Sequence, residues 1–286
     1  MSDFYQVSEW ENGYFRIFSP AGVYMDLFVG SEKALLLDTG YGFGDLRSVV
    51  KGITSLPLII VNTHGHVDHA CGNGQFEEDI FIHPADMDLC AEHNGRVLRG
   101  RALSMARNFE DPETGKIRNI LPQDFDEDVF YHSGTGHLVP LADGQRFDLG
   151  GIILKVIHVP GHTKGSIGLM DEGKKIFYSG DSMNFSTWLF LPEAENVSVY
   201  AESIRKMLGT EFERIMFSHA DSPYPKAVLA DFLDLAEHVD YEKGYPFSAP
   251  LVPGAVAKYC CREGYQPEDM FRKPGYAAIV IGPDKL

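Results

Sequence analysis

The run Thr63-His64-Gly65-His66-Val67-Asp68-His69 places three imidazoles and one carboxylate within seven residues. It follows Leu58-Ile59-Ile60-Val61-Asn62, an apolar stretch of the kind found in strands covered on both faces. Four donor groups at the end of such a strand are odd for a surface loop and natural for a metal site. In an extended chain, residues two apart point to the same side, so His64 and His66 can hold one ion together. A helix starting near Val67 turns Asp68 and His69 toward a second ion. One loop then serves two metal positions, and the remaining ligands must come from elsewhere in the chain.

Three later positions have the same character, each one His or Asp just past an apolar strand. His162 follows Val156-Ile157-His158-Val159 and a Pro160-Gly161 break, Asp181 follows Ile176-Phe177-Tyr178-Ser179-Gly180, and His219 follows Ile215-Met216-Phe217-Ser218. Open α/β sheets carry their functional groups at such strand ends.

The surrounding pattern alternates strands with helices. Strands are expected at 14–18, 23–29, 34–38, 58–62, 80–82, 152–159, 167–170, 176–178, 214–217 and 276–281, and helices at 46–53, from Pro84 onward, at 197–208 and at 226–239. Residues 94–138 are less regular, with a basic helical piece (Arg96, Arg99, Arg101, Arg107) and an acidic loop at 124–128, and they read as a cap or lid inserted into the domain. Residues 240–286 read as a C-terminal extension of a single domain spanning 1–286. A strand running into Asp38-Thr39-Gly40 is echoed by one running into Ser179-Gly180-Asp181, a hint of two related halves.

Taken together, Leu37-Asp38-Thr39-Gly40, Thr63 to His69, Pro160-Gly161-His162-Thr163-Lys164-Gly165-Ser166, Ser179-Gly180-Asp181 and Phe217-Ser218-His219 resemble the metallo-β-lactamase superfamily, in the order that family shows and over roughly residues 14–240. The resemblance implies an α/β fold, a four-layer αββα sandwich with an inserted cap, and a two-metal site on the edge between its sheets. Carried over by position, His64, His66 and His162 would bind one ion, Asp68, His69 and His219 the other, and Asp181 would bridge them. Two zinc ions suit these donors, and iron or manganese fit the same set. Asp68 would also be the catalytic carboxylate, orienting the nucleophile and passing its proton to the leaving group. Asp38 would hold the loop or a ligand imidazole by hydrogen bond. The ligand set is closer to glyoxalase II thioesterases and lactonases than to most antibiotic-degrading relatives.

The other candidates read as structural. Cys71 is a small near-core residue, His158 a buried and hydrogen-bonded one, and Gly72 and Gly74 sites of close backbone approach rather than phosphate cradles. Trp188, Phe190 and Tyr200 either line a cavity or pack in the core. His132 and His137, in the insertion, are candidates to face the pocket.

Composition narrows the function class. With 25 basic and 41 acidic residues the formal charge is −16, which opposes binding to a phosphate backbone, so no nucleic-acid partner is expected. The N-terminus lacks the pattern of an export signal, no apolar run is long enough to span a bilayer, and Cys71, Cys90, Cys260 and Cys261 read as reduced thiols. These features describe a cytoplasmic enzyme with a small-molecule substrate and no membrane partner, with a homo-oligomer possible through the insertion or the tail. The leading expectation is a dinuclear hydrolase of an ester, thioester, lactone or amide. A small-molecule phosphodiesterase and a mononuclear iron sulfur dioxygenase are the alternatives. A diiron redox protein fits less well, since its relatives carry Glu where this chain has His66. A metal-stabilised scaffold would predict missing ligands, and all seven positions are filled.

Overall fold

A computed structural model describes residues 4–111, 114–249, 251–270 and 272–286. The chain forms two compact units, Met1–Leu141 with Arg146–Ile153, and Ala142–Gln145 with Leu154–Leu286. Among the described residues no helix is long and apolar enough to cross a membrane.

The first unit is built on a seven-stranded mixed sheet with the order Gln6–Glu11, Tyr14–Ser19, Val23–Val29, Ala34–Leu37, Leu58–Val61, Asp79–Ile82, His137–Pro140. Its first four strands run antiparallel, the Val23–Val29/Ala34–Leu37 hairpin closing where Gly30 N donates to the Lys33 carbonyl. Ala34–Leu37, Leu58–Val61 and Asp79–Ile82 then pair in parallel, which requires crossovers, and helix Leu46–Ile53 supplies the first. That helix starts where the Asp45 side chain accepts from Ser48 N and buries Leu46, Val49 and Val50, one apolar stripe at helical spacing. Ala34–Leu37 is buried on both faces, as a central strand should be. Parallel pairing puts the carboxyl ends of Ala34–Leu37 and Leu58–Val61 side by side, so Asp38 and Thr63 become neighbours.

Residues 94–138 are built into this unit's core. Helix Arg96–Arg107 turns Arg99, Ala102, Leu103 and Ala106 inward, and Phe130 of helix Glu127–His132 joins them. The basic piece is therefore not uniformly solvated: Arg99 is fully buried. Its guanidinium donates to the carbonyls of Asn94 (2.8 Å), Phe130 (2.8 Å), Cys71 (3.1 Å) and Gly134 (3.2 Å), and to the Asn94 side chain. One cation thus ties both ends of the insertion to the chain just past the His cluster. Gly72 and Gly74 are there for space. A Cβ on Gly72 would lie 2.2 Å from the Thr39 carbonyl oxygen, and one on Gly74 1.8 Å from that of Ser133.

The second unit has one sheet in the order Ile153–His158, Ile167–Asp171, Ile176–Tyr178, Arg214–Met216, Tyr224–Pro225, and another in the order Ser186–Leu189, Ala278–Ile281, Ala257–Cys261, Tyr245–Phe247. Helices Val197–Leu208 and Val228–Glu237 pack with them in a core centred on Phe177, Ile204, Ile215, Leu229 and Ile279. Ile176–Tyr178 and Arg214–Met216 are parallel neighbours, so the loops carrying Asp181 and His219 leave the sheet together. Each unit thus repeats one device, a parallel strand pair whose carboxyl ends present polar side chains side by side.

Candidate metal centre

Each unit holds its own part of the predicted ligand set. In the first, the loop after Leu58–Val61 bends at 63–65 instead of staying extended, His66 is extended, and helix Val67–Ala70 begins immediately afterward, at the expected helix start. His64, His66 and His69 are buried. Their rings converge: His64 lies 4.6 Å from His66 and 4.1 Å from His69, centroid to centroid. Donor atoms of His64 and His66 come within 4.8 Å of each other, as do those of Asp68 and His69. The Asp68 Oδ2 to His69 Nε2 distance is 3.4 Å.

A hydrogen-bond relay sets which nitrogen each ring presents. Asp38 accepts the Thr63 N–H at Oδ1 (2.7 Å), and the Thr63 hydroxyl (2.8 Å) and His69 Nδ1–H (2.8 Å) at Oδ2. The Thr63 hydroxyl has a single hydrogen, given to Asp38, so at 2.9 Å its oxygen accepts from His64 Nδ1. Both rings are thereby held with Nδ1 protonated and the Nε2 lone pair available. Burial raises the Asp38 pKa, against the lowering by His69 and Thr63. Asp38 also takes a left-handed backbone, φ +64°, which Asp tolerates better than most residues. The role expected of it from sequence is the one observed.

Several supporting residues carried no signal in the sequence. The His69 carbonyl accepts from Thr39 N (2.8 Å) and Asn62 Nδ2 (3.3 Å), and Asn73 links Asn62 to the Thr39 hydroxyl at 2.7 Å on both sides. Asp86 accepts from Gly65 N at 3.0 Å. His93 stacks on His66, centroids 4.8 Å apart and planes 20° apart, and its Nδ1 accepts from Val67 N at 3.2 Å. His66, the N-cap of the helix that carries Asp68 and His69, makes no side-chain cap bond, so His93 supplies the acceptor from another helix. Only the fold brings His93 here, 26 positions along the chain from Val67.

In the second unit His162 and Asp181 are nearly buried, with 4% and 13% of their side chains exposed, and His219 is at 25%. His162 sits in a turn closed by Thr163 and Ser166, whose hydroxyls lie 2.7 Å apart. Its Nδ1 donates to the Trp188 carbonyl at 2.9 Å, again leaving Nε2 as the available nitrogen. The Ser179 hydroxyl lies within 3.2 Å of the Gly180 and Met183 carbonyls and 3.1 Å of that of Met216, which pins the loop before Asp181 to the neighbouring strand. Asp181 Oδ2 lies 3.3 Å from His219 Nε2 and 3.9 Å from His162 Nε2, so one carboxylate oxygen faces two imidazole nitrogens.

The remaining candidates fall outside these clusters. Cys71 is buried, its thiol pushed up to about 12 by burial and bonded to the His93 carbonyl, which fits a core residue and not a ligand. All four cysteines are free thiols. His158 is half-exposed rather than buried, although Leu154 and Val156 on the same face of its strand are buried, and its Nε2 does bond the Lys164 carbonyl at 2.9 Å. His137 is exposed beside Asp79, and His132 bonds the Asp128 carbonyl of its own helix. Trp188 and Phe190 pack against Phe247, and Tyr200 is buried beside Thr187.

Comparison with known proteins agrees with the geometry. The human acyl-coenzyme A thioesterase MBLAC2 is 31% identical over 164 residues, 53% of this chain and 55% of that protein. The chain thus matches little more than half the length of this curated relative. Among solved structures, a metallo-β-lactamase from Pontibacter korlensis superposes with a TM-score of 0.58 at 16% identity, over 82% of this chain and 99% of its own. TTHA1623, crystallised in a di-iron-bound form, does so with a TM-score of 0.55 at 22% identity, over 74% and 94%. These likenesses establish an α/β fold of mixed sheets and flanking helices of the same type. Residues 23–219 match the metallo-beta-lactamase superfamily, a span that runs from the start of strand Val23–Val29 through the last predicted ligand. The chain belongs to that superfamily.

Proposed function

We propose that the chain is a metal-dependent hydrolase of acyl thioesters, with His64, His66, Asp68 and His69 of the first unit and His162, Asp181 and His219 of the second as its metal ligands. The observation that carries this reading is that three imidazoles each have Nδ1 within hydrogen-bond distance of a protein oxygen. His64, His69 and His162 each have Nδ1 occupied by Thr63, Asp38 and the Trp188 carbonyl, which leaves three Nε2 lone pairs for a cation. Asp181, with one oxygen facing two imidazoles, is the bridging carboxylate. The donor set of imidazole and carboxylate fits two zinc ions and accommodates iron or manganese. A bound metal pair lowers the pKa of water toward neutrality and polarises a substrate carbonyl.

The chain's own groups do the rest. Asp68 accepts the proton of the attacking water at its carboxylate and returns it to the departing sulfur. Asp38 and Thr63 keep the imidazoles from rotating or changing tautomer during that exchange. Choice of a thioester within the carbonyl class rests on the likeness to MBLAC2, a relative named for hydrolysis of acyl thioesters of coenzyme A.

Turnover of thioesters, lactones, esters and phosphodiesters by the metal-loaded protein tests the reading, together with Asp181→Ala. Thioester hydrolysis should exceed the rest, and Asp181→Ala should abolish it while lowering the content of both ions. Preferred cleavage of phosphodiesters, or unchanged turnover and metal content in Asp181→Ala, would overturn it.

A further inference from the structure

The second unit contains a cavity of about 340 Å³ that the metal ligands leave without a role. One wall is aromatic, with Tyr224 as its partly exposed ring and Phe185, Phe217 and Phe232 buried. Phe217 and Tyr224 stack with centroids 5.2 Å apart and planes 8° apart, and Phe185 meets both edge-on at 5.5 and 5.1 Å. Phe217 is two residues before His219 and Phe185 four after Asp181, so this wall grows from the two loops that carry those side chains. Helix Val228–Glu237 adds Val228 and Phe232, and the segment 272–276 of the C-terminal extension completes the lining.

The charged groups at this cavity are Asp231, Arg272 and Lys273. Asp231 is matched by Arg262 at 2.9 Å. Lys273 is engaged: its ammonium donates to the Gly264 carbonyl at 2.7 Å and lies 3.9 Å from Asp269 and over the Tyr265 ring. Among the described residues Arg272 has no acidic partner within 4.0 Å, and it is exposed. A cationic mouth over an aromatic wall is notable on a chain with a net charge of −16. An apolar acyl tail would use the wall and leave Arg272 idle. A planar ring bearing a phosphate uses both.

We propose that this cavity binds the nucleotide end of the substrate's carrier, with a purine ring against the aromatic wall and a phosphate at Arg272 and Lys273. The choice of carrier rests on the thioester reading above; the ring-and-phosphate chemistry rests on the cavity alone. The volume, near the lower end of the roughly 300–1,000 Å³ range of ligand pockets, takes one ring system with its sugar and not a whole coenzyme.

Calorimetric titration of adenosine 3′,5′-bisphosphate into the full-length protein, with adenosine and octanoate as separate arms, tests this. The bisphosphate should bind, adenosine should bind about tenfold more weakly, and Arg272→Ala should lower bisphosphate affinity by about tenfold, the loss of one charge-assisted contact. Val228→Trp, which fills the cavity, should abolish binding. The ratio of kcat/KM for an acyl-coenzyme A to that for the same acyl group on N-acetylcysteamine should fall about tenfold in Arg272→Ala, through KM. Absence of bisphosphate binding, binding insensitive to Arg272→Ala, or binding of octanoate in its place would overturn the proposal. Bisphosphate binding that Arg272→Ala weakens, in a protein that cleaves no thioester, would leave the nucleotide site standing and remove the thioester reading; thioester cleavage without bisphosphate binding would do the reverse.

Discussion

Asp38→Asn isolates the support of the imidazoles from the imidazoles themselves. The substitution keeps the size of the side chain and the tolerance for φ +64°. Its carbonyl oxygen can still take the Thr63 N–H, but an amide NH₂ now stands where Oδ2 accepted the Thr63 hydroxyl and His69 Nδ1–H. The Thr63 oxygen can turn and accept from the amide. His69 has no such option, because two donors then face each other at 2.8 Å in a fully buried position. Its proton must move to Nε2, the nitrogen assigned to the metal, or the bond is lost. One buried hydrogen bond left unmade costs about 1–3 kcal/mol, and loss of such a support lowers metal affinity by about 10–100-fold. Asp38→Ala strands all three donors, about 3–9 kcal/mol if the losses add, which is comparable to the whole stability of a domain. The Asn variant is therefore the informative one. Urea unfolding of the metal-free protein should show the modest loss, and equilibrium dialysis the large fall in metal affinity. Wild-type metal affinity in a folded Asp38→Asn protein would refute the relay.

Three further outcomes are expected. His93→Ala removes both the ring against His66 and the acceptor for Val67 N, so metal affinity and kcat should fall while the KM for a thioester holds; His93→Asn, which restores an acceptor, should recover part of the loss, and equal defects in the two variants would count against the capping role. Arg99→Lys replaces a fork making five hydrogen bonds with a group of three donors. At least two bonds go, at about 1–3 kcal/mol each, and the thermal midpoint should drop accordingly; an unchanged midpoint would show the clamp to be dispensable. For Asp143, burial raises the pKa, but the His158 N–H (2.8 Å) and the Lys206 ammonium (2.9 Å) outweigh it and hold the carboxyl below its ordinary 3.8. A depressed folded pKa gives stability that is present above about pH 4 and lost as pH falls through the folded value. Asp143→Asn should flatten the acid limb of the stability curve, and a limb of unchanged slope would exclude this pair as a contributor.

What could be read from the sequence divides by physical cause. Strands at 23–29, 34–38 and 58–62 and helices at 46–53 and 197–208 announce themselves because burial imposes a period or an unbroken apolar run. Gln6–Glu11 does not, since every residue of that edge strand is exposed and only backbone pairing with Tyr14–Ser19 makes it a strand. Ser186–Leu189 and Tyr245–Phe247 are short, and the first pairs with Ala278–Ile281, distant in the chain. The insertion hid its order for another reason: Arg99, a residue that normally signals solvent, occupies the inward stripe of its helix. The same contrast holds at the metal centre. His and Asp at strand ends stand out by chemistry, and Asp38 by position. Asn62, Asn73 and His93 are ordinary residues whose roles depend on contacts that no local pattern encodes.

The relay from Asp38 has a bearing on how this centre could be re-engineered. A single carboxylate governs His69 directly and His64 through a hydroxyl, so under the proposed assignment of these two imidazoles to different ions an edit at Asp38 or Thr63 disturbs both cation positions at once. Selective occupancy, with one position emptied or given a different element, has to be sought by exchanging the coordinating side chains one by one. The scaffold beneath them acts as a shared switch, and it offers no separate handle for either half.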